Sequence, residues 1–131
     1  MIRELKARDI LKIKNIETGI KCDKGQYIQF LISKIDNPKY HMWGDIDNDK
    51  INSFIVINDN RELPINNSVL VMDMWSRRHR NSLEITEYAK KWAVENNVER
   101  ALIMVDDTHS EKYMDTFNVK KVANVFEWKL K

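Results

Sequence analysis

Cysteine, glycine and proline are all scarce in this chain. Of its 131 residues, one is Cys (Cys22), three are Gly and two are Pro. A single thiol excludes an intrachain disulfide and a zinc cage of thiolates, and it suits a reducing compartment. With so few glycines, turns must be made by Asn and Asp, which tolerate the left-handed region better than other side-chain-bearing residues. No apolar run approaches the ~20 residues of a membrane span, and the first residues carry no signal-peptide pattern, so the expectation is a soluble, cytoplasmic protein. A dominant charge sign is also missing. Lys and Arg number 22 against 20 Asp and Glu, a formal net charge of +2, so any electrostatic function must lie in a local cluster. What is present is 43% hydrophobic content, enough for one core in a chain too short for a second. Residues 1–131 are therefore read as a single domain.

The densest positive cluster is the turn Ser76-Arg77-Arg78-His79-Arg80-Asn81-Ser82. An apolar strand-like run from Val69 to Met72 leads into it through Trp75, and a well-patterned helix follows. Strand, cationic turn and helix in that order aim backbone N–H groups and positive side chains at one point, a site suited to phosphate. The helix carries Ile85, Tyr88, Ala89, Trp92 and Ala93 on one face. Glu87 and Lys91 are spaced for an i,i+4 pair, Asn81 with Glu84 has the form of a capping box, and Asn96-Asn97 supplies the end.

Upstream, Ile2 to Leu5 reads as a short strand and Ala7 to about Glu17 as a helix. Ile28, Leu31, Ile32 and Ile35 form the stripe of a second helix over Lys24 to Ile35, stopped near Asn37-Pro38. Tyr40 to Ile46 and Lys50 to Asn58 read as a hairpin around Asp47-Asn48-Asp49. The strand at Val69 extends it to an antiparallel meander. Downstream, Ala101 to Val105 is a continuous apolar run, expected to be a strand buried on both faces and parallel to the one at Val69. Thr108 with Glu111 opens a short helix to about Phe117. Val122, Phe126, Trp128 and Leu130 share one face of a final strand.

The resulting order, β-α-α-β-β-β-α-β-α-β around a mixed sheet, resembles the Gcn5-related N-acetyltransferase (GNAT) superfamily, an α/β (α+β) acyl-CoA N-acyltransferase fold. Residues support the resemblance from about Val69 to Val119. The family's turn is Gln/Arg-x-x-Gly-x-Gly/Ala. When the helix is placed by Ala89-Lys90-Lys91-Trp92-Ala93, Arg77 falls on the first position, Arg80 on the first glycine and Ser82 on the Gly/Ala position. The family's Asn after the fifth strand and its Tyr seven residues later correspond to Asp107 and Met114, with Tyr113 adjacent. Its Gly-Phe corresponds to Asn118-Val119, where Asn118 can fill a left-handed position.

The resemblance implies acetyl-CoA bound where the fourth and fifth strands part, with its pyrophosphate against Arg77, Arg78, His79, Arg80, Asn81 and Ser82 and with Asp107 nearby. Main-chain N–H groups near Met72, Asp73 and Met74 would polarise its carbonyl. Asp73 is the candidate base, with Glu62 second, and Tyr113 the candidate acid. The acceptor would be a small-molecule or protein amine. Arg80 in a glycine position either obstructs the pyrophosphate or adds a contact to it.

Other readings of the same residues stand beside this one. Arg77, Arg78, His79 and Arg80 with Trp75 combine cation and aromatic as a nucleic-acid surface does. Degenerate versions of the fold occur among bacteriophage proteins, including virion components, which the chain resembles in size; a non-catalytic binding role follows from that likeness. Asp45, Asp47 and Asp49 open like a calcium loop, but Lys50 replaces the needed glycine and Val56 the bidentate Glu, so an acidic hairpin turn is preferred. Asp106, Asp107 and His109 read as a strand end and helix cap rather than a metal site. His41 stands alone, without an identifiable partner.

Overall fold

A computed structural model describes residues 1–16, 22–62, 68–103, 115–122 and 126–130. Its elements are β1 (Ile2–Glu4), α1 (Ala7–Ile13), α2 (Lys24–Ser33), β2 (Tyr40–Asp47), β3 (Lys50–Asp59), β4 (Val69–Ser76), α3 (His79–Glu95) and β5 (Ala101–Ile103). The strands form one sheet in sequential order, antiparallel from β1 to β4 and parallel between β4 and β5. The expected meander and the βαβ crossover are both present.

Alternation along the strands sends side chains to two separate cores. Phe54 and Val56 face α1 and α2, where they pack with Ile10, Ile13, Ile28 and Leu31. Ile55 and Ile57 face the other way, onto Ile85 and Ala89 of α3. Gly44 of β2 is needed on the first face: a Cβ there would stand 2.6 Å from Leu5 Cδ2 and 3.2 Å from the Ser53 carbonyl oxygen.

Asn and Asp supply the left-handed turns, as their abundance beside so few glycines implies. Among the described residues, positive φ occurs at Asn48, Asp49, Asn97 and Asn118. Asn48 (φ 48°) and Asp49 (φ 63°) form the two-residue loop between β2 and β3, the mirror-image turn that matches strand twist. Asp45 and Asp47 beside it accept hydrogen bonds from the Met1 α-amino group at 2.9 and 3.1 Å. Asn97 (φ 57°) follows the Asn96 C-cap of α3.

Several boundaries differ from expectation. Helix α1 ends at Ile13 rather than near Glu17, and α2 ends at Ser33 although Ile35 still packs on the core. Helix α3 begins at His79, with Arg78 as an N-cap that makes no side-chain bond. The capping box of Asn81 and Glu84 is therefore absent, because Asn81 already lies in the first helical turn and is buried. Glu87 pairs at 3.3 Å with Lys90, not Lys91. Ala101 and Ile103 are exposed, so β5 is not covered on both faces: β4 is its only partner among the described residues. No described residue pairs with the segment 126–130, and Phe126 and Trp128 remain 87% exposed. Alternation makes a strand only where a sheet edge accepts it. The helix expected from Thr108 falls largely outside the described residues, although residues 115–117 are helical and Asn118 is left-handed.

Candidate functional site

The site is built on β4. Its ladder with β3 runs Val71↔Ile57 and then Asp73↔Val56, so Met72 is an extra residue without a partner. Such a bulge interrupts the ladder and brings consecutive side chains to one side of the sheet. Met72 packs against the core under α1 and α2, and Asp73 reaches the same side, where its Oδ2 accepts the Tyr27 hydroxyl of α2 at 2.6 Å. Met74 turns to the opposite core, where the Thr86 hydroxyl lies 3.6 Å from its sulfur.

Asp73 is buried, only 7% exposed. Burial pushes its carboxyl above the usual range, while the Tyr27 hydroxyl and the Met74 amide oppose that shift without cancelling it. The Tyr27 phenol is in turn held far above its ordinary value, by burial first and the Asp73 charge second. The pair is thus a buried carboxyl and phenol joined by a hydrogen bond, within β4 and beside its bulge. Tyr27 escaped the sequence reading because the stripe counted on α2 started at Ile28. Its position four residues before Leu31, on the buried face, was the available signal.

At the C-terminal end of β4 the cationic turn is anchored to β3. The register of β2 with β3 skips Asn52, a second bulge, and the Asn52 carbonyl accepts from the Arg77 N–H at 2.7 Å. The Arg77 guanidinium donates to the Ile51 carbonyl at 3.2 Å and lies 5.7 Å from the Trp75 ring centroid. Arg77 therefore holds the turn. Arg78, His79 and Arg80 are exposed and make no side-chain hydrogen bond or ion pair among the described residues. Below them, Asn81 and Ser82 are buried, and Ser82 Oγ donates to the His79 carbonyl at 2.6 Å. The Asn81 and Ser82 N–H groups both approach the Arg78 carbonyl, at 3.0 and 3.3 Å, which leaves the His79 and Arg80 amides as the unsatisfied donors of the helix start.

Two unpaired guanidinium groups and two free amides are the donor set an anion needs. An adjoining cavity of about 280 Å³ also carries Asp45, Asp47 and Glu84, so the surface is mixed in sign rather than a continuous basic track for nucleic acid. Glu62 is paired with Lys39 at the surface. Asp106, Asp107, His109, Tyr113 and Met114 lie outside the described residues. Among those described, no group of three or more His, Cys, Asp or Glu is placed to hold a metal, and no helix is long and apolar enough to cross a membrane.

No protein-family model and no curated protein matches the sequence. Solved structures do match in fold. An aminoglycoside 6'-N-acetyltransferase from Acinetobacter haemolyticus superposes with a TM-score of 0.79 at 11% identity, covering 100% of this chain and 98% of that one. A probable acetyltransferase does so with 0.72 at 13% identity, over 100% and 97% of the two chains. A predicted acetyltransferase from Clostridium acetobutylicum, solved with acetyl-CoA, gives 0.69 at 14% identity, over 99% and 96%. The mixed sheet in sequential order and these superpositions together show that the chain has the fold of the GNAT-type acetyltransferases.

Proposed function

We propose that this chain is an acetyl-CoA-dependent N-acetyltransferase acting on a small-molecule amine. The observation that carries the reading is the bulge at Met72, which takes this residue out of register with β3 and sets the buried Asp73–Tyr27 pair beside it. The neighbouring structures, among them aminoglycoside acetyltransferases, support a small amine as acceptor.

Bound acetyl-CoA would supply an activated acetyl thioester. In this reading a main-chain N–H near Met72 donates to the acetyl carbonyl oxygen as charge develops on it. Asp73 takes the proton that the acceptor amine gives up, and its raised pKa brings it closer to the pH at which a base works best. Tyr113 is assigned the return of a proton to the departing sulfur. Arg78, Arg80 and the first amides of α3 bind the pyrophosphate, while Arg77 keeps the turn on β3.

Calorimetric titration with acetyl-CoA, on the native chain and on Arg80→Gly, tests the reading when paired with thiol release across a panel of amines. Saturable binding of one molecule per chain and amine-dependent thiol release are expected from the native protein. Binding by Arg80→Gly alone would show a cofactor loop closed by its arginine and would refute the enzyme. No binding by either would refute the cofactor as well.

A further inference from the structure

On the face of the sheet opposite Tyr27 and Asp73, aromatic rings gather where α3 crosses β2. Trp43 is the centre: Tyr88 meets it edge-on at 5.5 Å and Trp92 lies tilted at 5.4 Å. His41, two residues along the same strand face, stacks on Trp43 at 5.5 Å and lies tilted against Trp92 at 4.5 Å. The sequence offers no sign of this, and His41, which looks isolated there, is enclosed by indoles. These rings line a cavity of about 400 Å³. Glu4 of β1 and Glu95 of α3 stand at its rim together with Lys91. Neither carboxylate has a hydrogen-bonding or ion-pairing partner among the described residues. Burial holds the His41 imidazole below its ordinary pKa, so the ring stays neutral near pH 7 and the lining is left with net negative charge.

We infer that this cavity is a binding site for an organic ammonium cation. The negative faces of indole and phenol rings attract a cation that gives up water readily, as a methylated ammonium does, and the two unpaired carboxylates supply its countercharge. An apolar ligand of equal shape would gain the ring contacts and forfeit the charge term. The site does not depend on acetyl-CoA chemistry, since its residues lie on the other core of the molecule.

Choline and its uncharged carbon isostere are the probes, each titrated into the full chain and followed by tryptophan fluorescence and calorimetry. Choline is expected to bind saturably, and the isostere roughly tenfold more weakly. Trp92→Ala should weaken choline by roughly tenfold. Trp92 also packs on the α3 core, so Glu95→Gln provides a second variant at an exposed position. It should weaken choline and leave the isostere unchanged. Equal affinity for the two probes would reduce the cavity to an apolar groove and overturn the inference. So would choline binding that neither variant alters, or no saturation by choline at all.

Discussion

At the scale of single residues, two buried carboxylates answer burial in opposite ways. Asp73 has one hydroxyl donor and ends with its pKa raised, whereas Asp9, fully buried, meets Arg3 through two bonds of 2.7 and 3.0 Å and the Lys6 N–H at 2.8 Å. Desolvation alone would raise Asp9, but these donors outweigh it and hold the carboxyl below its ordinary value. A depressed folded pKa stabilises the fold above the unfolded carboxylate value, and that contribution is lost as pH falls through the folded one. Arg3→Met should remove this acid-side dependence and cost about 3 kcal/mol in denaturant unfolding, because it strands a charge in the core. At Asp73 the sign is reversed for stability, which is favoured when the group is protonated and declines as pH rises through its raised value. Under the proposed mechanism, activity would follow the ionised form and climb over the same interval. Because the Tyr27 hydroxyl lowers the Asp73 pKa, Tyr27→Phe should move the acid limb of kcat/KM to higher pH. Asp73→Asn should lower kcat by about 10²-fold or more while leaving acetyl-CoA affinity unchanged. An unchanged limb in Tyr27→Phe would detach the pair from proton transfer.

Among the elements, legibility followed the source of each signal. Helix α3 and the β2–β3 hairpin were readable because period and turn chemistry are local: Ile85 and Ala89 are buried as their spacing requires, and Asn48-Asp49 makes the turn. What failed depends on partners distant in sequence. The start of α3 is set by Arg77 bonding Asn52 and Ile51 on β3, so it precedes the Asn81 cap that the local pattern favours. The bulge at Met72, which places Asp73, is a property of register between two strands and leaves no mark on either alone. Tyr27 and His41 acquired their partners in the same way, from elements 46 and 51 residues away in the case of Tyr27–Asp73 and His41–Trp92. Local chemistry also predicts well where it decides alone. Asn97 ends α3 at φ 57°, and Gly there should stabilise the protein by about 0.5 kcal/mol, seen as a small rise in Tm, whereas Ala should destabilise it. Gly44→Ala presses on Leu5 and the Ser53 carbonyl within a filled layer, and a loss of about 1–3 kcal/mol is expected.

The whole molecule is organised around β3, the middle strand of the five, which has core on both faces. Phe54 and Val56 close the layer under α1 and α2, and Ile55 and Ile57 close the layer over α3, while β2 and β4 on either side likewise send Met42 and Met72 to the first core and Trp43 and Met74 to the second. The candidate acetyl-transfer site and the aromatic cavity lie on opposite layers of that wall, and each is reached from an adjacent strand: Asp73 on β4 and Trp43 on β2. Local openings at one layer should then leave the other packed, while loss of β3 dissolves both. Native-state amide exchange gives the test. The slowest amides should fall within Ile55–Ile57, exchanging only through global unfolding, and those of β1 and β5 at the sheet edges should exchange through smaller openings. Phe54→Ala, which empties the first layer, should cost about 3–5 kcal/mol and lower the protection of Ile55 and Ile57 by the same free energy although their side chains face the opposite core. Protection retained at Ile57 in that variant would mean that the two layers unfold separately and that β3 does not unite them.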